Sequence, residues 1–168
     1  MGMPQLLLAL LLAAAANGRG HASFVAHGPG GLKIEGQSDE LTASSDDQRV
    51  VVKVPLKSLA TGIELRDRHM REDLQVDQFP LVELTVRRSA LKVPGTGAEV
   101  SGEAPGELTL HGQTHPVTVH YRAVLKDGTD VSGTARINLK EFGIEVRSYL
   151  GIGVKPDVEV EVAFHLGG

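Results

Sequence analysis

The amino-acid sequence predicts an all-β domain of about eight, mostly antiparallel strands with one short helical excursion between the third and the fourth. Three observations carry this. Apolar and polar residues alternate with period two over most of the chain after Ser23. Gly-, Asp- and Pro-containing turn sequences fall between the alternating runs. A single stretch, residues 58–78, is charged and does not alternate. Successive side chains of a strand point to opposite faces, so such alternation marks sheets buried on one side. A one-sided sheet needs a covering layer, which a closed barrel or a two-sheet sandwich supplies.

The chain opens on residues 6–16, an unbroken run of Leu and Ala. It is too short for a membrane-spanning helix and has the length of a signal-peptide core. Small residues follow, with cleavage expected after Ala16 or after Ala22. Residues 1–5 contain no Lys or Arg, so the terminal amine alone supplies positive charge. An apolar N-terminal helix is the structural alternative. Residues 1–22 are thus expected to be a signal peptide and residues 23–168 the β domain. The expected location is periplasmic or secreted.

Two short strands, residues 23–27 and 32–36, flank Gly28-Pro29-Gly30-Gly31. Residues 49–56 place Val50, Val52, Val54 and Leu56 on one face. Residues 64–74 form the helix, with Ile63, Met70 and Leu74 on one face, and Phe79-Pro80 leads back into strand. Residues 81–87 alternate Val82, Leu84 and Val86 with Glu83, Thr85 and Arg87. Pro94 to Gly97 resembles a hairpin connection, as does His111-Gly112-Gln113-Thr114. Residues 116–126 set Val117, Val119, Tyr121, Ala123 and Leu125 inward. Asp127-Gly128 is a strong tight-turn signal, because both positions need positive φ. Residues 130–140 and 157–166 alternate throughout, ending with Val158, Val160, Val162, Phe164 and Leu166 on one face.

Composition excludes several functions. The balance of 21 acidic and 17 basic residues, with six aromatics and no Trp, offers no electrostatic or stacking basis for nucleic-acid binding. Without Cys there is no disulfide, thiolate nucleophile or Cys-based metal site. No stretch after the N-terminal run has transmembrane length. Among seven histidines, His111, His115 and His120 surround one hairpin, yet no His-Glu-x-x-His pattern occurs. No Gly-x-Ser-x-Gly elbow is present. Glu159 and Glu161 share a strand face that reads as solvated surface, as does Arg87-Arg88. No cofactor is expected.

An eight-stranded barrel sits at a size where its interior is either filled or holds one small ligand. Here the inward positions are rich in Val, with Gly133 and Ala135 among them. Periodicity does not decide between a cavity and a packed core.

Several motifs recur in one order: His27 and Gly36; Leu59-Ala60-Thr61-Gly62 leading to Arg66-Asp67-Arg68-His69-Met70; Phe79-Pro80; Gly106 to Thr114; Phe142-Gly143-Ile144; and Val158 to Val162. With these the chain resembles the YceI-like family of lipocalin-like, polyisoprenoid-binding barrel proteins. The resemblance implies an exported, antiparallel, eight-stranded lipocalin-like barrel with an elongated apolar cavity for an isoprenoid-type lipid, and no catalytic activity. The chain departs from the family in a short N-terminal strand and in lacking an aromatic pair before Phe79-Pro80.

The ligand-binding residues expected on this basis are the interior set Val52, Leu84, Leu110, Tyr121, Ile137, Phe142, Val160 and Phe164, with His27, Arg66 and His69 at the cavity mouth facing a polar head group. For Asp67 a structural role, pairing or capping the excursion, is favoured, since a charge near a core needs a partner. The leading function is a soluble carrier or sequestering protein of the cell envelope, with an apolar lipid as partner and a homodimer as a possible assembly. The alternatives are an interaction barrel with a filled core and a protein partner, and a hydrolase using His27 or His69 with Asp67.

Overall fold

Residues 16–146 and 153–167 are described by the structure, a computed structural model. Its strands are β1 (Ala16–His27), β2 (Lys33–Ser45), β3 (Arg49–Pro55), β4 (Leu81–Arg87), β5 (Glu99–Leu110), β6 (Gln113–Leu125), β7 (Thr129–Asn138) and β8 (Asp157–Leu166). One helix, α1 (Glu64–Asp73), lies between β3 and β4. Each strand pairs antiparallel with the next, and β1 pairs with β8 from Gly18↔Leu166 to Ala26↔Val158. The sheet is therefore a closed, meandering barrel and not a sandwich.

Two strands are much longer than their sequence suggests. β1 has 12 residues and β2 has 13. The short first strand expected from alternation is thus corrected, and residues 16–22, which the sequence places ahead of the domain, form the first half of β1. Their alternation is hidden because Gly18 and Gly20 lie against the β8 backbone. A Cβ on Gly18 would come within 1.7 Å of the His165 carbonyl oxygen, and one on Gly20 within 2.0 Å of that of Ala163. In β2 the hidden feature is a bulge. Gly20 pairs with Leu41 but Ala22 with Ser38, so Asp39 and Glu40 lie opposite His21 alone. Buried positions accordingly switch from Gly36 and Ser38 to Leu41, Ala43 and Ser45.

Tight turns match their chemistry. Leu110↔Gln113 closes a two-residue loop in which His111 and Gly112 take φ of 54° and 71°. Asp127 and Gly128 turn β6 into β7 with φ of 48° and 101°. The expected hairpin at Pro94 to Gly97 is instead the far part of a longer connection from Arg88 to Glu99, which starts with a 3-10 turn at Arg88–Ala90.

The barrel has two unlike ends. At the base lie the β1–β2, β3–β4, β5–β6 and β7–β8 connections. There Leu56, Val76, Phe142 and Ile144 from the connections pack with Leu108, Leu110, Ile137 and Val158 from the strands. Phe142 and Leu56 are 1% and 2% exposed, and burying such side chains stabilises by about 1.5–3 kcal/mol each. The other end, the mouth, carries the β2–β3, β4–β5 and β6–β7 connections.

α1 covers the base without a buried apolar face. Its one buried residue is Asp67, while Ile63 and Leu65 are 49% and 39% exposed. Of the apolar face expected from the sequence, Leu74 packs on the base core. Polar bonds fasten the excursion as well. Ala60 exchanges backbone bonds with Gln37 of β2, and the Ser58 and Ser38 hydroxyls are 2.5 Å apart. The Asp67 carboxylate accepts both the Thr61 N–H at 2.8 Å and its hydroxyl at 2.6 Å.

Two expectations follow from the interior and from the mouth. An ideal Cβ on Gly36 would lie 2.3 Å from the Phe24 ring. Gly36→Ala should then cost about 1–3 kcal/mol by overpacking. Much of that loss should vanish in a Phe24→Leu background, as a urea-denaturation double-mutant cycle will read. At the β2–β3 turn, the Asp46 carboxylate accepts N–H bonds from Gln48 and Arg49, each 2.8 Å. The bond from Arg49, then that from Gln48, holds its pKa below the usual carboxylate value. A lowered folded pKa contributes stability that is present above the unfolded value and lost as pH falls through the folded one. Asp46→Asn should therefore be less sensitive than the parent to the drop from pH 5 to pH 3, read as the urea midpoint.

Candidate functional site

Inside the mouth half of the barrel is a cavity of about 130 Å³. Its walls are the inward positions of five strands: Val50 and Val52 of β3, Leu84 and Val86 of β4, Val119, Tyr121 and Ala123 of β6, Val131 and Gly133 of β7, and Val162, Phe164 and Leu166 of β8. Alternation alone puts these aliphatic side chains in one space. Space remains because Ala123 and Gly133 contribute little volume where their neighbours contribute Val. The rim consists of Ser45, Arg88, Thr129 and the segment Leu91, Lys92, Val93 and Pro94.

Two polar side chains organise the rim. The Tyr121 hydroxyl accepts the Lys92 N–H at 2.8 Å, which ties the 91–94 segment to the wall. Arg88 Nη1 donates to the Ser45 hydroxyl at 2.9 Å and to the Asp46 carbonyl at 3.1 Å. A second concavity, about 500 Å³ and wide open, lies on the outer surface of β5–β8 beside Glu103, His120 and Arg122. There His120 lies 3.2 Å from Glu103, and Arg122 is paired with Glu99 at 2.5 Å. Glu99 is accordingly held below, and Arg122 above, its usual pKa. The interior cavity is the better candidate, because apolar walls with a few polar groups are what small-molecule sites present.

Of the residues expected from sequence, Val52, Leu84, Tyr121 and Phe164 line this cavity. Leu110, Ile137 and Phe142 belong to the base core, and Val160 packs against it. His27, Arg66 and His69 do not line the cavity. His27 ends β1 at the base, where its carbonyl accepts the Lys155 N–H at 2.7 Å, and Arg66 and His69 lie on α1. The placement of all three at the mouth is thereby corrected, since the β3–β4 excursion that carries α1 covers the opposite end. Asp67 has the fastening role favoured for it, on Thr61.

His111 also works at the base. Its Nδ1 donates to the Phe142 carbonyl at 2.9 Å and its Nε2 meets the Gln75 amide at 2.8 Å. His115 packs edge-on against Phe142, and Phe79 against His111. Among the described residues no three His, Asp or Glu side chains gather as a metal site would require.

Sequence reasoning missed the rim. The Arg87-Arg88 pair reads as surface, yet Arg88 extends the inward parity of Val82, Leu84 and Val86 by one more step. That phase was a usable signal. Lys92 and Pro94 lie in a loop without periodicity and gave none.

Comparison with known proteins agrees with the fold. A UPF0312 protein of Vibrio cholerae (strain El Tor Inaba N16961) is 30% identical over 138 residues, covering 77% of this chain and 69% of its own length. One from Pseudomonas aeruginosa (strain LESB58) is 31% identical over 118 residues, 64% of this chain and 57% of its own. Among solved structures, a polyisoprenoid binding domain from Saccharophagus degradans implicated in plant cell wall breakdown superposes with a TM-score of 0.79 at 17% identity, covering 92% of this chain and 99% of its own. Burkholderia cenocepacia BcnA superposes at 0.67 with 13% identity over 86% and 94% of the two chains. The YceI-like domain matches residues 17–166. With that match spanning nearly every described residue, the chain belongs to the YceI-like domain family.

Proposed function

We propose that this chain is an exported, non-catalytic carrier that takes an apolar chain of isoprenoid type into its barrel. The observation that carries the reading is the largely aliphatic cavity of about 130 Å³ in the mouth half. The likeness to a polyisoprenoid binding domain supports the ligand class. Binding would rest on desolvation and shape, at about 0.8 kcal/mol per buried methylene. The Asp67 carboxylate, which a hydrolytic reading would use, is instead committed to Thr61.

The cavity's size constrains the mode of binding. Sites for drug-sized ligands run to about 300–1,000 Å³, whereas an apolar cavity of about 150 Å³ admits a benzene. As it stands, this interior takes one short branched unit. A longer chain enters only if the rim segment 91–94 moves outward. The same smallness favours the second reading, a filled barrel that serves a protein partner.

Purification without detergent, followed by native mass spectrometry and solvent extraction, separates the two. A carrier shows an extractable added mass or takes up supplied isoprenoid lipid; a persistently bare mass favours the filled barrel. Gly133 supplies the control. A Cβ there would meet Val119 at 3.4 Å and Val162 and the His120 carbonyl oxygen at 3.6 Å, which are ordinary contacts. Gly133→Ala should fold and bind, whereas Gly133→Leu should fold and lose the adduct. Unchanged binding by folded Gly133→Leu removes this cavity from consideration.

The export proposal carries a prediction about processing. Of the two cleavage positions, the one after Ala16 leaves the pairs Gly18↔Leu166 and Gly20↔Phe164 intact, and the one after Ala22 removes them. Intact-mass analysis of the exported protein should find Asn17 at its N-terminus. A mature chain beginning at Ser23 is the contrary result.

A further inference from the structure

The cavity is apolar throughout its depth, but its rim is not neutral. Of all the residues that line it, the ionic ones are Arg88 and Lys92, and both are cations. They stand out in a chain of net charge -4. Among the described residues neither takes part in a salt bridge. Arg88 acts on the Asp46 carboxylate, which already accepts the Gln48 and Arg49 N–H groups. Arg88 itself is fixed through Nη1 by the Ser45 hydroxyl and the Asp46 carbonyl. Lys92 Nζ has one long bond, to the Ser101 carbonyl at 3.4 Å.

Two positive groups at the rim of an apolar cavity form a recognition pattern. An anchored guanidinium offers parallel N–H donors to an oxyanion, and an ammonium adds a point charge. An uncharged lipid would make no use of either. Resting on the carrier reading above, we infer that the ligand is a single-chain amphiphile with a phosphate head, its tail in the cavity and its head held by Arg88 and Lys92 at the mouth. A phosphate monoester carries up to two negative charges near neutral pH, which two cations match.

The test uses the full-length mature protein and three probes, measured by titration calorimetry at low salt: farnesyl monophosphate, farnesol and inorganic phosphate. The parent should bind farnesyl monophosphate about tenfold or more tightly than farnesol, the size expected of charge-assisted hydrogen bonds. Inorganic phosphate should neither bind nor compete, since the head alone lacks the apolar contribution; tight phosphate binding would mean a free-anion site and overturn the assignment. In Arg88→Gln/Lys92→Gln the preference for farnesyl monophosphate over farnesol should collapse to within about twofold. Arg88→Lys, which keeps the charge, should retain most of the preference and so guards against a mere loss of the Ser45 bond. Equal binding of the two isoprenoids by the parent overturns this inference and leaves the carrier reading standing. Failure of both to bind overturns the carrier reading and this inference with it.

Discussion

Pairing of β1 with β8 turns a curved sheet with two open edges into a tube, and the tube's radius then dictates what can stand inside it. Closure pairs the β1 and β8 edges, whose N–H and C=O groups an open sheet would leave to water or to another chain. It also fixes the interior at a width that eight strands of side chains nearly fill. The seam sets its own requirement, because Gly18 and Gly20 lie where any Cβ would strike the β8 carbonyls. Interior space is consequently decided by a few positions. In the base half, Phe24 covers Gly36, and Phe142 and Leu56 close the floor. In the mouth half, Val, Ala123 and Gly133 leave a gap.

That division explains what was legible in the sequence. β3, β4, β6, β7 and β8 alternate without interruption, so their inward residues could be read directly. β1 and β2 could not, for two separate physical reasons. At Gly18 and Gly20 the pattern has no side chains to display, and the bulge at Asp39 and Glu40 reverses the phase of β2 halfway along. The helix was visible as a charged break in alternation, but its packing was not. Helical periodicity assumes a buried apolar stripe, and α1 buries Asp67 instead.

The candidate site was legible by halves for a related reason. Period two places Val52, Leu84, Tyr121 and Phe164 inside, yet it says nothing about depth along the barrel. Val160, Leu110 and Ile137 obey the same parity and lie toward the base. Motif resemblance drew attention to His27, Arg66 and His69 because polar residues in order are conspicuous. The structure shows what the neighbouring polar residues do: Thr61 with Asp67, Gln37 with Ala60, and His111 with Phe142 and Gln75 fasten the base. A polar signature can therefore belong to the fold while the cavity is written in ordinary aliphatic residues.

The unequal fastening of the two ends bears on how a chain could enter. Opening the base would expose Phe142, Ile144 and Leu56, each nearly fully buried, and break the bonds on Asp67 and His111. Opening the seam would break the β1–β8 ladder along most of its length. The 91–94 segment is tied much more lightly. Its Leu91 N–H reaches back to the Arg88 carbonyl, its Lys92 N–H rests on the Tyr121 hydroxyl, and Val93 is already 67% exposed. Moving it costs the Lys92 N–H bond to Tyr121, about 0.5–1.5 kcal/mol net, the long Lys92 Nζ bond to Ser101, and partial exposure of Leu91. Two buried methylenes of an entering chain would offset a loss of that size. Entry at the mouth is thus the path of least resistance, and it brings any head group that follows the tail to rest beside Arg88 and Lys92.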